Sequence, residues 1–155
     1  MIAPRLHPKD PVKRAVNRAW TDYVPTFADR VTATAYADTE ADYLTAADKI
    51  QVSFEQLEKA LEAQGSGPYF NGAAYSLVDA AYAPFLQRYL FLDRVRSLGH
   101  LERFPQLKAW SEALLDRKST HSFPPSEFEA LYRENVRRRQ KWVAQFIDSP
   151  QVAAE

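Results

Sequence analysis

Apolar residues recur every three or four positions along most of this chain, which is the spacing of one face of an α-helix. The first run follows Asp10 and Pro11, a pair suited to the cap and first position of a helix. Its apolar positions are Val12, Val16, Trp20, Tyr23, Phe27 and Val31. Because Pro25 lies inside this run, the sequence predicts a first long helix with a kink near Asp22.

A second run begins at Thr39, another residue suited to a helix N-terminus. Its apolar positions alternate steps of four and three, at Tyr43, Ala47, Ile50, Phe54, Leu57 and Leu61. This spacing is typical of helices that pack almost antiparallel to a neighbour. The run ends at the glycine-rich loop 65–72, so we expect a second long helix packed against the first.

The stretch from Ser76 to Val95 is apolar on almost every side, which is typical of a helix surrounded by other helices. Ser76 and Asp79 have the spacing of a capping box, in which the Ser76 hydroxyl accepts from the Asp79 N–H and the Asp79 carboxylate accepts from the Ser76 N–H. Pro84 predicts a kink. We therefore predict that this is the central helix of a bundle.

Two more helices are predicted after Gly99. A short one starts at Pro105, carries Leu107, Trp110 and Leu114, and ends near Lys118. The last starts at a capping box formed by Ser126 and Glu129. Its apolar positions are Phe128, Tyr132, Asn135 or Val136, Trp142, Val143 and Phe146.

No alternating strand pattern of useful length appears, so the predicted fold is an all-α bundle of about five to six helices. We expect two-thirds or more of the residues to be helical. The predicted organisation is a linker-like segment over 1–9, one helical domain over 10–148 and a flexible tail over 149–155.

Composition narrows the functional classes. The chain has 155 residues, of which 46% are hydrophobic, and its twenty basic and twenty acidic residues cancel. A chain without net charge has no overall electrostatic field that would attract nucleic acid or an anionic membrane, and we expect neither as a partner. It contains no cysteine, and no signal peptide or spanning segment is visible. The expected location is cytoplasmic.

Candidate chemistry within the chain is sparse. His7, His100 and His121 are far apart, without partners at metal or triad spacing, so we expect no metal and no catalytic residue. A basic cluster near the end contains Arg133, Arg137, Arg138, Arg139 and Lys141. We favour arginines on the polar face of the last helix, with their stems covering apolar surface, over a nucleic-acid patch.

Three stretches resemble the C-terminal, all-helical domain of the glutathione S-transferases. The first runs from Gly72 to Leu86, with Ser76 and Asp79 at the cap and Ala83-Pro84 in the next turns. The second, from Arg5 to Trp20, is similar to that family's interdomain linker and first C-domain helix. The third, Arg117-Lys118-Ser119 with Phe128 and Arg137–Arg139, is similar to its tail. The N-terminal thioredoxin-like domain, which in that family binds glutathione, has no counterpart in this sequence.

The resemblance implies a role for the first helix, because the corresponding helix of the family helps form the pocket for the hydrophobic co-substrate. Tyr23, Phe27 and Arg30 lie on one side of it, at i, i+4 and i+7. Tyr23 and Phe27 would line that pocket, and Arg30 would lie near an anionic group. The alternative is that Tyr23 and Phe27 are ordinary core residues.

Two functions follow from the resemblance. In the first, the chain is part of a glutathione transferase: it supplies the co-substrate pocket, and a thioredoxin-like partner supplies glutathione and its activation. Alone, it is then expected to be inactive. In the second, it is a stand-alone, non-catalytic module that binds another protein, a second copy of itself or a small apolar ligand.

Overall fold

The structure, a computed structural model, describes residues 6–65, 67–121 and 124–147. It contains five α-helices: α1 (Pro11–Ala35), α2 (Glu40–Gln64), α3 (Leu77–Val95), α4 (Pro105–Asp116) and α5 (Pro125–Arg138). Short 3-10 turns span Leu101–Arg103, Lys118–Thr120 and Trp142–Phe146. Helices make up 76% of the described residues, where an isolated bridge between Tyr69 and Gly72 is the only strand-like pairing. The predicted all-α class and helix number are confirmed.

The first two helices begin at the predicted caps. Asp10 Oδ1 accepts from the Lys13 N–H at 2.8 Å at the start of α1. Thr39 Oγ1 accepts from the Asp42 N–H at 3.1 Å at the start of α2. Each bond satisfies one of the donors that a helix N-terminus leaves unpaired. Both α1 and α3 run through their internal prolines, Pro25 and Pro84, without ending.

Buried apolar residues form two cores along α3. The α4-side core lies where α1, α2, α3 and α4 meet. Its members are Phe27, Val31, Ile50, Phe54, Leu57, Leu61, Phe70, Val78, Tyr82, Ala83, Leu86, Tyr89, Leu101, Phe104, Leu107, Trp110 and Leu114. The α5-side core joins the end of α1 to α5. Its members are Ala35, Ala37, Tyr43, Phe91, Leu92, Val95, Tyr132, Val136, Val143 and Ile147.

The predicted apolar stripe of α1 is only partly buried. Phe27 and Val31 are 0% exposed, whereas Val12 is 71% and Val16 37% exposed. The first two turns of α1 therefore keep an apolar face at the surface, because no other described helix covers it.

The last predicted helix differs from the structure at both ends. The Ser126–Glu129 capping box is wrong: α5 begins at Pro125 with Pro124 as its cap, so Ser126 lies inside the helix. Proline suits the first helical position because its missing N–H is unpaired there anyway. The sequence also predicted a helix that continues to Phe146, but α5 ends at Arg138.

The early end of α5 has a tertiary cause. Gln140 adopts a φ of 52°, which turns the backbone out of the helix. Beyond this turn, the Trp142 N–H donates to the Ala37 carbonyl at 3.0 Å, and the Trp142 ring lies 4.8 Å from that of Tyr43. Beyond α5 the chain therefore packs against the α1–α2 connection and α2.

The expected N-terminal linker is described only from residue 6. The Leu6 carbonyl accepts from the Leu77 N–H at 3.0 Å, which holds this segment against the start of α3. Residues 1–5 and the expected tail, 149–155, lie outside the described residues.

Candidate functional site

Asp79, the predicted cap residue of α3, is 0% exposed and connects three parts of the fold. Its Oδ2 accepts from the Ser76 N–H at 2.7 Å and from the Ser76 hydroxyl at 2.6 Å. Its Oδ1 accepts from the Phe70 N–H at 2.8 Å and from the Trp110 Nε1–H at 2.7 Å. The carboxylate therefore joins the 67–76 loop, the start of α3 and α4. Both of its oxygens are hydrogen-bonded within the protein interior.

Tyr23 and Arg30, two of the predicted site residues, meet in one polar cluster. Arg30 Nη1 donates to the Tyr23 hydroxyl at 2.9 Å and to Ser53 Oγ at 2.6 Å. The Tyr23 and Ser53 hydroxyl oxygens are 2.9 Å apart. Because Ser53 belongs to α2 and is 0% exposed, the cluster ties α1 to α2.

Phe27, the third predicted residue, is separated from this cluster and from the surface. It is 0% exposed, and its ring centre lies 6.2 Å from that of Phe54 and 5.2 Å from that of Tyr82. The structure thus places Phe27 in the α4-side core and brings only Tyr23 and Arg30 together.

An open pocket lies at the other end of α1. It has a volume of about 210 Å³, and we call it the Arg88 pocket. Its lining residues come from the end of α1, the middle of α3 and one face of α5. They are Tyr36, Arg88, Phe128, Leu131, Tyr132 and Asn135. Four of the six side chains are aromatic or aliphatic, and Arg88, Asn135 and the two tyrosine hydroxyls supply polar groups, so the pocket combines aromatic and polar surface.

Arg88 is the only charged residue among those lining residues. Its guanidinium carbon lies 5.6 Å from the ring centre of Phe85 and 5.8 Å from that of Phe128, both within cation–π range. Arg88 Nη1 donates to the Pro84 carbonyl at 2.7 Å, which anchors the side chain along its own helix. The arginine is half-buried and its head is held between aromatic rings at the pocket wall.

The aromatic walls are held by polar contacts. Asn135 Nδ2 donates to the Tyr36 hydroxyl at 2.6 Å. The Arg139 guanidinium lies 5.1 Å from the Tyr36 ring centre, and Arg139 Nε donates to Asn135 Oδ1 at 3.1 Å. Burial raises the pKa of Tyr132, with a smaller opposing effect from Arg88, so this phenol stays protonated at neutral pH. The end of α1 is thereby fixed against α5.

Sequence reasoning missed this pocket. Phe128 and Tyr132 were recognised as one apolar face of the last helix, but Tyr36 lies about a hundred residues earlier in the chain. The available signal was Arg88, a cation in the middle of a largely apolar helix, because charged side chains are seldom buried unless they are paired.

Two residues of the basic cluster near the C-terminus, Arg133 and Lys141, make contacts with other parts of the same domain. Arg133 Nη1 donates to the Ile147 carbonyl at 2.7 Å, and its guanidinium lies 5.2 Å from the Phe91 ring centre. Lys141 Nζ pairs with Asp38 at 2.6 Å. These contacts close the end of α5 over the α5-side core.

A second concave surface, of about 600 Å³, follows α1 and α2 and is mostly apolar. Its lining residues are Val16, Trp20, Gln56, Lys59, Ala60, Ala63 and Gln64. Trp20 stands edge-on to Tyr23, with ring centres 5.9 Å apart. Val52, one turn before Gln56 on α2, is 46% exposed and extends this face.

The three histidines stay apart in the structure. His100 is 6% exposed, whereas His121 Nε2 lies 2.6 Å from the Leu115 carbonyl oxygen. Among residues 6–65, 67–121 and 124–147, no group of three or more His, Cys, Asp or Glu side chains has the arrangement of a metal site. Within the same ranges no helix has the length and apolarity required to cross a membrane.

Comparison with known proteins agrees with the fold. Residues 15–118 match the family described as "Glutathione S-transferase, C-terminal domain". The chain is 34% identical over 113 residues to Glutathione S-transferase L1 of Arabidopsis thaliana, covering 72% of this chain and 44% of that protein. It is 28% identical over 142 residues to the probable glutathione S-transferase parC of Nicotiana tabacum, covering 88% of this chain and 61% of that protein. The chain thus spans about half the length of these relatives.

Two solved structures have similar folds. The Tau class glutathione S-transferase MiGSTU from mango, Mangifera indica, superposes with a TM-score of 0.72 at 22% identity, covering 86% of this chain and 63% of that one. Glutathione transferase Omega 3C from Trametes versicolor superposes with a TM-score of 0.67 at 27% identity, covering 88% and 59%. From the family match over two-thirds of its residues and these relatives, the chain belongs to the glutathione S-transferase family, to whose C-terminal helical domain it corresponds.

Proposed function

We propose that this chain supplies the helical half of a glutathione-conjugating enzyme and that the Arg88 pocket holds the apolar part of the electrophilic co-substrate. The observation that carries the proposal is the pocket itself: aromatic rings from the end of α1 and from α5 meet the Arg88 side chain of α3 around an opening to solvent. The family match supports the reaction class.

In the proposed reaction, the thiolate of glutathione attacks an electrophilic carbon of the co-substrate. A sulfur–carbon bond forms while the leaving group departs with its bonding electrons, and the thiol proton goes to solvent. Lowering the pKa of the thiol requires groups outside residues 1–155, in a thioredoxin-like domain that binds glutathione. The task of this chain is to hold the second reactant in position.

Tyr23, Phe27 and Arg30 enter this proposal as positioning residues. The Arg30–Ser53 bond fixes α1 against α2, and the Arg30 carbonyl accepts from the Thr34 hydroxyl at 3.0 Å in the next turn. This half of α1 leads directly to Tyr36. Phe27 supports the same half of the helix from within the core.

The pocket is tested by titrating the chain with 2-naphthamide, a neutral planar aromatic, and following backbone amide signals by NMR. We expect saturable shifts at Tyr36, Leu131 and Tyr132. Leu131, which is 57% exposed, is replaced by Glu to place a charge in the apolar wall, and binding should weaken by about tenfold, as expected for the loss of about 1.4 kcal/mol.

The matched control is Leu44→Glu, since Leu44 is also an exposed helical leucine, at 44%, and does not line the pocket. Equal weakening by the two substitutions, or no binding at all, would contradict the pocket assignment. Saturable binding of glutathione to the chain alone would contradict the proposal that its site lies elsewhere.

A second candidate function is a non-catalytic module that associates with a second copy of itself. The apolar face along α1 and α2, with Val16, Val52 and Trp20, favours it, because exposed apolar patches mark contact surfaces. The mass in solution tests this: a dimer converted to monomer by Val16→Glu supports it, and a monomeric native chain excludes it. The cytoplasmic location stays a prediction from the sequence.

A further inference from the structure

We propose that the Arg88 pocket selects small planar aromatic ligands that carry a carboxylate, with the Arg88 guanidinium as the group that recognises the anion. This inference rests on the proposed function only in using the same pocket. It adds the substrate class, because apolar walls alone do not discriminate an acid from its neutral analogue.

The size and walls of the pocket indicate a small flat ligand. Its volume of about 210 Å³ is below the roughly 300–1,000 Å³ of pockets for drug-sized molecules. The Phe128 and Tyr132 rings are stacked on α5, with centres 5.7 Å apart and planes at 24°, and present aromatic surface to the pocket. One or two fused rings match this shape.

The positive charge in the wall of the Arg88 pocket indicates that the ligand carries a negative charge. A guanidinium has five N–H donors, and among the described residues Arg88 uses one hydrogen bond, from Nη1 to the Pro84 carbonyl. No ion pair in the described part of the chain involves Arg88, and none of the pocket's lining residues is acidic. The remaining donors can therefore bind a ligand carboxylate, in the bidentate geometry that arginine favours.

The neighbouring carboxylate is engaged elsewhere. Glu129 follows Phe128 on α5 and is the acidic residue nearest to the pocket wall in sequence, but it pairs with Arg94. At the rim, the Arg139 guanidinium covers the Tyr36 ring and adds a second positive charge. The pocket thus combines aromatic surface with one positive charge in its lining and a second at its rim.

Partial burial makes this charge useful for recognition. A guanidinium shielded from water by Phe85 and Phe128 has lost part of its hydration, and interactions with an anion are stronger there than in bulk water. A ligand that supplies only an aromatic ring leaves those donors to water.

The test compares 2-naphthoate with its neutral analogue 2-naphthamide, using the full chain at neutral pH and isothermal titration calorimetry. We expect the native chain to bind the carboxylate about tenfold more tightly than the amide, because a hydrogen bond to a charged partner is about twice as strong as a neutral one. Arg88→Gln should reduce naphthoate affinity about tenfold and leave naphthamide affinity within about twofold. Arg88→Lys should restore part of the preference, since it keeps the charge without the bidentate fork.

Arg103→Gln is the matched control, because Arg103 is exposed, donates a single hydrogen bond to Gln51 and lies outside the pocket. It should leave both affinities unchanged. Equal binding of acid and amide to the native chain overturns this inference even if Arg88→Gln fails to fold, and it leaves the pocket assignment intact. Absence of binding by both ligands overturns the proposed pocket as well.

Discussion

The first turn and the middle of α3 each carry a charged side chain, in opposite environments. Asp79, in the first turn, is 0% exposed, and its two oxygens accept four hydrogen bonds from the protein. Arg88, nine residues later, is half-buried at the wall of an open pocket and uses one donor within the described structure. One helix thus carries a fully buried, hydrogen-bonded charge in the α4-side core and a partly exposed charge beside the α5-side core.

The difference in burial between Asp79 and Arg88 suggests different roles for the two charges, one in stability and the other in ligand binding. A fully buried charge must be satisfied by the protein itself, since its desolvation is otherwise uncompensated. A half-buried charge keeps contact with water, so part of its bonding capacity stays available to a ligand. Substitutions at Asp79 should therefore affect folding, and those at Arg88 should affect binding.

Asp79→Ala should produce the largest loss of stability, about 3 kcal/mol or more. The substitution leaves buried donors of Ser76, Phe70 and Trp110 without their acceptor, and each unsatisfied buried donor costs about 1–3 kcal/mol without being strictly additive. Urea unfolding followed by circular dichroism measures the effect.

Thr39→Ala is the control for this experiment, since it removes an exposed helix cap and should cost only about 1 kcal/mol. If Asp79→Ala costs no more than this control, Asp79 acts as a local cap only and does not connect the loop, α3 and α4.

Glu58→Ala should cost about 2 kcal/mol. Glu58 belongs to α2 but caps α4: its Oε1 accepts from the Gln106 N–H at 3.0 Å and its Oε2 from the Leu107 N–H at 2.8 Å. Hydrogen bonds to a charged group contribute about 1.5–3 kcal/mol, and the N-terminus of a helix favours the negative charge. Thermal and urea unfolding should agree on the loss.

Glu62→Ala, one turn later on the exposed side of α2, should stay within about 0.5 kcal/mol of the native chain. A similar cost at both positions would mean that the loss reflects helix charge rather than the tie between α2 and α4.

His100 should produce the smallest effect, visible only as a pH dependence. Burial, with a smaller contribution from Arg103, lowers its pKa against the opposing attraction of Asp93 and Asp48. The unfolded chain therefore binds the proton more readily than the folded one, with a pKa near 6.5. The free energy of unfolding should then fall as pH decreases through about 6.5.

Urea midpoints at pH 7.5 and pH 5.5 test this, and His100→Gln should show a smaller decrease than the native chain. Burial raises the pKa of Asp93, which therefore acts on stability with the opposite sign. Because Asp93 is present in both proteins, the difference between their decreases reports on His100. Identical decreases in both proteins would exclude His100 as a source of the pH dependence.

Much of the fold was predictable from local patterns. Asp10 and Thr39 begin α1 and α2, Gly65 follows the end of α2 with a φ of 85°, and Pro105 begins α4. Capping residues, glycine and proline act on the backbone within a few residues, so the chain itself contains that information.

Two features that the sequence did not predict depend on distant contacts. Nothing local marks Gln140 as the turn after α5, because its conformation follows from the docking of Trp142 on Ala37 and Tyr43. The candidate pocket was missed for the same reason, since Tyr36 and Asn135 meet across almost the whole chain. Tyr23, Phe27 and Arg30 share one helix face by sequence, and packing divides them between a polar cluster and the core. Their role in a co-substrate pocket stays a prediction.

The amino-acid sequence by itself determined the helices, most of their starts, the all-α class and the resemblance to the transferase family, since helix periodicity and caps are local properties. Only the tertiary structure decided which charged side chains make all their hydrogen bonds within the protein and which keep donors available to a ligand. Asp79 obtains donors from Phe70 in the 67–76 loop and from Trp110 on α4, and Arg88 obtains its aromatic neighbour Phe128 from α5. Such contacts depend on how helices pack in three dimensions, which a pattern along one helix does not record.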